Sequence, residues 1–475
     1  MKILFINPII SRERDKMWER VKLDMFAEIS FVPRLAPMIL AALTPKEHEF
    51  VYLDEDVKEI NFEGIKADLI AITAMTIQAK RAYYLADRFR EMGYPVIIGG
   101  IHASSCPEEA ALHADAVCTG EAENYWEELL QDAAAGQLKK FYHGKDYPKV
   151  RKIPIPKMTI INHDAYSAFP IQATRGCPNN CEFCCIKLSS GQEYRKKPVE
   201  QVIAEIKECE KHNNGPIKKR YYFNDDNLYV DRDYTIELFK GIAPLNIQWM
   251  GMGSVDIAQD EEVLEAIAKS GCRIFYIGFE SISEESLKQA HKKCGSIHEY
   301  KAVANKLIKH GIVPGGFFVF GFDNEDEEVF KRTADFTIQN RIIISFFNIM
   351  TPYPGTALYE RKKDTLIDYD WNHYSSFKCV YQPANLTPTQ LEAGLYEASG
   401  MAARLDVMKD HMKYFWSHGP WEKNPRLKLR ERVLLLVLAV KMRKRVNAGK
   451  FLLWSAFQYK AVDLNQIMLS VFYII

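Results

Sequence analysis

At 475 residues the chain exceeds what one ordinary core organises, and about three domains are expected from its length. Its 47% hydrophobic and 26% charged residues exclude extensive disorder. Sixty-two basic residues balance sixty-two acidic ones, which excludes a global field that draws in nucleic acid or an anionic membrane.

The start MKILFINPII has neither the basic region nor the long apolar stretch of a secretory signal, and it reads as a first buried strand. A cytoplasmic protein is expected, its ten cysteines reduced, so that clustered ones point to metal rather than to disulfides. From Lys2 to Leu130 the β-rich runs KILFINP, EFVYLDED, DLIAITAM, PVIIGGIH and DAVCTG alternate with helical patterns such as QAKRAYYLADRFREMG. That rhythm predicts a Rossmann-like parallel sheet over 1–135. Pro148, Pro154 and Pro156, with no periodicity around them, make 136–168 a connector.

A second alternation follows, with FPIQATRG, YYFNDDN, IQWMGMGS, CRIFYIGFES, GGFFVFGF and IIISFFNIM as six strand candidates. They predict a (β/α)6 partial TIM barrel over 169–360, in which reactive groups collect at the C-terminal strand ends. Its first helix begins at Pro198 and sets Val199, Val202, Ile203 and Ile206 on one face. Residues 361–475 are expected to form a mainly helical domain, and Thr387-Pro388 opens an amphipathic run there. Trp371, Tyr374, Phe377 and Tyr381 suit a core or the lining of an apolar substrate pocket, core being the simpler reading. Between Lys423 and Lys450, basic residues flank the apolar run VLLLVLAV, which is too short to cross a bilayer. A helix packed on the barrel is preferred there over one lying at the inner membrane surface.

TRGCPNNCEFCC places Cys177, Cys181 and Cys184 in a C-x3-C-x2-C run on the loop leaving the first barrel strand. Three thiolates on one loop can cap three irons of a cubane [4Fe-4S] cluster and leave the fourth iron open, as a catalytic centre requires and a closed structural site avoids. The alternative is a structural zinc site completed by Cys185 or a histidine, although the second ligand pair usual for such sites is missing. Cys106, Cys118, Cys209, Cys272, Cys294 and Cys379 are dispersed singly and read as small buried residues.

The run C-x3-C-x-aromatic-C, with Phe183 before Cys184, resembles the signature of the radical S-adenosylmethionine (SAM) superfamily. YYFNDDN resembles that family's second-strand motif, which implies that Asp225 or Asp226 accepts a hydrogen bond from the SAM ammonium. MGMGSVDI, with Ser254 and Asp256, resembles the third-strand position near SAM, although several relatives carry an arginine where Ser254 stands. GFESIS resembles the fourth-strand motif and implies that Glu280 contacts the ribose. GGFFVFGF and PYPGTALY resemble the strands that flank the adenine.

Ahead of the barrel, VIIGGIHASSCPEEAALHADAVCTGEAE resembles the cobalamin-binding domain of one class of this superfamily. The resemblance implies cofactor contacts at Gly99, Gly100, His102 and Glu121. There is no D-x-H-x-x-G motif to supply a histidine to cobalt, and His102 is not assigned that role. The C-terminal module resembles that of relatives acting on polycyclic lipids, such as hopanoid methylases, and of the anaerobic cyclase of bacteriochlorophyll synthesis. Together these imply an enzyme with a [4Fe-4S] cluster, SAM and cobalamin that methylates an unactivated carbon of a small hydrophobic substrate. An electron donor of the flavodoxin or ferredoxin type would serve it. The rivals are a radical cyclase, oxidase or coupling enzyme without methyl transfer, and a non-catalytic metal or cobalamin carrier; a tRNA methylthiotransferase lacks its RNA-binding parts here.

Overall fold

The structure is a computed structural model that describes residues 1–10, 32–144, 153–215, 220–292 and 297–419. Cys294 and the basic segment around VLLLVLAV lie outside the described residues.

The first sheet contains β1 (Lys2–Asn7), β2 (Glu49–Asp54), β3 (Leu69–Thr73), β4 (Val96–Gly99), β5 (Ala116–Thr119) and β6 (Phe141–His143). All pairs are parallel and the spatial order is β2-β1-β3-β4-β5-β6. Because strand side chains alternate, Leu4, Ile6, Ile70, Ile72 and Ile98 pack on one face and Ile3, Phe5, Leu69, Ala71 and Ile97 on the other. Helices cover both faces, which is why these strands read as unbroken apolar runs. The helix Ala79–Glu91 buries Ala82, Leu85, Ala86 and Phe89, a 3.6-residue repeat. The order in which strands are added reverses between β1 and β3, so a crevice opens at their carboxyl ends.

β6 comes from the stretch read as a connector, which therefore begins later than residue 136. A three-residue strand carries too little pattern to be recognised. The connector's described residues from 153 on are packed as well: Ile153 and Met158 are buried, and the Tyr166 hydroxyl donates to Asp54 Oδ2 at 2.7 Å.

The barrel strands are β7 (Ala168–Ile171), then a two-residue antiparallel ribbon of β8 (Thr174–Arg175) and β9 (Arg195–Lys196), then β10 (Arg220–Phe223), β11 (Trp249–Gly253), β12 (Cys272–Glu280), β13 (Val313–Phe320) and β14 (Ile344–Ile349). Six of them form an open parallel sheet in the order β14-β13-β12-β11-β10-β7, with the ribbon separate. A large aromatic-rich core lies between one face of this sheet and its helices, and a smaller cluster of Met250, Ile274, Tyr276, Ile344 and Phe415 packs on the other. Trp249 stacks on Phe239 at 4.6 Å and donates its indole N–H to Ser270 Oγ at 3.0 Å.

The C-terminal region is helical only from Pro388, in Pro388–Ala402 and Leu405–His418. Residues 361–387, expected to be mainly helical, hold short 3₁₀ turns and an isolated Leu366–Tyr381 bridge after the end of helix Ala357–Lys362. Asp368 and Asp370 accept from the backbone N–H two residues on, which competes with helix formation. Tyr374 and Tyr381 are core residues, whereas Phe377 is exposed. No helix among the described residues is long and apolar enough to cross a membrane.

Candidate active site

The loop bearing Cys177, Cys181 and Cys184 springs from the carboxyl end of β7 and is closed by the β8–β9 ribbon. Gly176 makes the turn at φ +85°, where a side chain is strained and a Cβ would lie 2.2 Å from the Glu193 carbonyl oxygen. The Cys177 N–H donates to the Gly191 carbonyl at 3.3 Å and that of Cys184 to the Cys181 carbonyl at 3.1 Å. Glu182, between the cysteines, is gripped by Arg361 through two bonds of 3.0 and 2.7 Å, and its carbonyl accepts from the Leu358 N–H at 2.9 Å. Phe183 is partly buried against the barrel core.

Burial pushes the Cys184 thiol up to about 12, and the neighbouring Cys181, Cys185 and Cys177 add to the rise. Three cysteines on one short loop, near enough to act on one another's charge, call for positive charge that bound iron would supply, so the donor set fits a cluster. Cys185 is pushed up to about 12 by burial alone.

Asp225 and Asp226 face the root of this loop. Asp225 Oδ1 accepts from the Ala173 N–H at 3.0 Å, the Thr174 N–H at 2.5 Å and the Thr174 hydroxyl at 2.7 Å, while Asp226 Oδ2 accepts from the Gly176 N–H at 2.9 Å. Burial outweighs these bonds and pushes Asp225 up to about 7. Both carboxylates therefore hold the loop's stem, a role the sequence motif did not suggest.

Two further strand ends face the same mouth. The Ser254 N–H donates to Asn227 Oδ1 at 3.2 Å, and that oxygen also takes the Tyr229 N–H at 3.0 Å. Glu280 adopts φ +62°, a strained conformation for a residue with a side chain, where the β12–β13 register shifts. Its Oε1 receives Lys292 Nζ at 2.8 Å. Asp256 lies in the field of Lys292 and Glu299, and burial raises its carboxyl above the ordinary range. Asn227 and Lys292 were missed in the sequence because the bonds that bring them to the mouth, from Ser254 to Asn227 and from Lys292 to Glu280, form only through folding.

A cavity of about 340 Å³ opens above the carboxyl edge of the first sheet. Gly99, Gly100, Gly120 and Glu121 line it from the sheet, and Gln172, Arg175, Ser190 and Asn224 from the barrel. Its lining mixes apolar Phe5, Ile39 and Trp126 with polar Asn7, Gln78 and Arg34, which suits a ligand with an apolar face and polar edges. Gly100 is at φ +98°, and a Cβ there would lie 2.7 Å from the backbone of Ala74. Its glycine requirement thus comes from the neighbouring loop rather than from a ligand.

His102 is absent from that lining. It is buried beneath it, with Nε2 2.9 Å from the Tyr83 hydroxyl, Nδ1 3.4 Å from Thr76 Oγ1, and its ring against Trp371. The Glu121 carboxylate is likewise engaged with protein, by Arg175 and Arg195. These partners lie 54 and 74 residues from Glu121 along the chain, so no local sequence signal pairs them.

Residues 171–337 match the family described as the Radical SAM superfamily, and residues 30–130 the B12 binding domain. The chain is 34% identical to bacteriochlorophyllide d C-12(1)-methyltransferase of Chlorobaculum tepidum, over 74% of this chain and 78% of that protein. It is 32% identical to the C-8(2)-methyltransferase of the same organism, over 74% and 81%. Among solved structures, the radical SAM methyltransferase TsrM of Kitasatospora setae has the same fold, with a TM-score of 0.65 at 14% identity over 91% of this chain and 99% of that one.

Proposed function

Since the chain belongs to the cobalamin-dependent radical SAM methyltransferases, we propose that it methylates an unactivated carbon of a flat, hydrophobic polycyclic substrate, a tetrapyrrole first among them. In this reading Cys177, Cys181 and Cys184 hold the [4Fe-4S] cluster and the cavity over the first sheet holds cobalamin. The observation that carries it is a shared wall: Arg175 and Ser190, which line the cavity, belong to the stem and body of the cysteine loop. When bound, the cluster supplies the electron that cleaves SAM to a 5′-deoxyadenosyl radical, and the corrinoid supplies the methyl group.

The chain's own residues bind and orient. Asp225 and Asp226 fix the loop's stem, and one of these two carboxylates is the proposed acceptor for the SAM ammonium, beside the mouth around Asn227 and Ser254. Glu280, held by Lys292, is the proposed partner of a ribose hydroxyl. Gly99 and Gly100 offer backbone to the corrinoid edge, and the apolar lining excludes water from the reacting centres. The tetrapyrrole assignment draws on the two bacteriochlorophyllide methyltransferases, and a hopanoid C-2 methylase, 24% identical, widens the class to other polycyclic molecules. A flavodoxin- or ferredoxin-type donor and a reducing cytosolic setting complete the reading. The inner-membrane contact considered from the sequence rested on the segment outside the described residues.

The test is anaerobic turnover of reconstituted protein with a chlorin or bacteriochlorin and, in parallel, with a hopanoid, each with a reductant and SAM carrying a deuterated methyl group. A product heavier by one labelled methyl supports the proposal. A product that has lost hydrogen and gained no label contradicts methyl transfer, and a hopanoid product alone contradicts the tetrapyrrole.

A further inference from the structure

Glu121 belongs to both halves of the molecule. It lines the cavity of the first sheet beside Gly120, and its carboxylate crosses to the barrel, accepting from Arg175 at 2.9 Å and from Arg195 at 3.0 and 2.5 Å. These arginines face each other across the β8–β9 ribbon, the stem of the loop that carries the three cysteines. All three side chains are buried, with exposures of 9% for Arg175, 6% for Arg195 and 8% for Glu121. Glu123 pairs with Arg175 at 2.7 Å, Gln172 Oε1 accepts from Arg175 Nε at 2.7 Å, and the Ser190 carbonyl accepts from Arg195 at 2.8 Å.

Such a network is a poor source of stability, because well-packed apolar residues at the same seam hold domains together at least as well. What it provides is geometry. A fork of charge-assisted hydrogen bonds fixes distance and angle, whereas an apolar contact tolerates sliding. Here the fixed quantity is the placement of the cysteine loop against the cavity wall.

We propose that Glu121, through Arg175 and Arg195, is a positioning residue that sets the cluster loop against the corrinoid cavity, so that radical formation and methyl transfer act on the same substrate carbon. This rests on the proposed assignment of the cavity to cobalamin. A group that only stabilised the fold would change both activities together; a positioning residue uncouples them.

The experiment uses holoenzyme carrying Glu121→Gln, with Arg195→Lys as a second variant that keeps the charge and loses the fork. Each is assayed for iron and cobalt content, methylated product per 5′-deoxyadenosine formed, and the magnetic interaction between reduced cluster and cob(II)alamin by electron paramagnetic resonance. Both variants are expected to keep their metals and to form 5′-deoxyadenosine, while the product ratio falls at least about tenfold and the magnetic interaction changes. An unchanged ratio and signature in both variants overturns the proposal, as does a joint fall of both activities in step with thermal stability. Wild-type protein that takes up no corrinoid overturns the cavity assignment itself, a result separable from an unchanged ratio.

Discussion

Asp225 shows how a residue of the site works through others. With one oxygen accepting three donors from Ala173 and Thr174, it ties β10 to the root of the cysteine loop. Replacing it with alanine strands those buried donors, at a cost of about 1–3 kcal/mol in unfolding free energy by denaturant titration. The same variant should lose iron on gel filtration, because the loop it anchors is freed. Gly176→Ala should act more severely: at φ +85°, with the Glu193 carbonyl in the way, the turn cannot form. Iron content after reconstitution should then fall to background while the corrinoid is retained. Much at this scale was legible beforehand. The cysteine spacing and the carboxylates at the ends of β10 and β12 stood out as motifs, but what Asp225, Glu121 and His102 touch did not. Those contacts span 51, 54 and 26 residues of chain and exist only in the fold.

Among elements, the helix Val199–Glu210 has its buried face wired by Lys197, whose Nζ lies 2.6 Å from Glu205 Oε1, both side chains essentially inaccessible. Lys197→Met leaves a buried unpaired carboxylate and is expected to destabilise by about 3–5 kcal/mol, whereas adding Glu205→Leu should restore most of the loss. Chemical denaturation of the two variants checks this. At the end of β13, burial pushes the Glu325 carboxyl up to about 8, despite N–H bonds from Gly321 and Phe322. A folded value raised above the ordinary 4.5 means that the folded chain holds a proton the unfolded chain has released between these limits. This group's contribution is therefore full below the lower limit and lost as pH rises through the upper, with a slope of about 1.4 kcal/mol per pH unit. Glu325→Gln should flatten that slope in unfolding titrations across the window. Eleven of the parallel strands could be read as apolar runs, five in the first sheet and six in the barrel. The three-residue β6, the two-residue ribbon and the turns of 361–387 could not, because pattern over so few residues is overridden by tertiary pairing and by local side-chain bonds.

At the scale of the whole molecule, two parallel α/β units meet with their carboxyl edges toward one space. The cavity of the first is walled in part by the loop that starts the second. A sequence displays the two units in succession, but not that they share a wall; only the fold brings Glu121 to Arg175. Under the proposed assignment this space is where one protein generates a radical and delivers a methyl group. The claim on which the rest depends is that three cysteines hold iron there beside a corrinoid. Metal analysis of anaerobically reconstituted protein, wild type against a triple Cys177, Cys181 and Cys184→Ala variant, tests it most directly. The account predicts about four iron and one cobalt per wild-type chain, and cobalt without iron in the variant. Iron retained by the variant, or zinc in place of iron in the wild type, would contradict it.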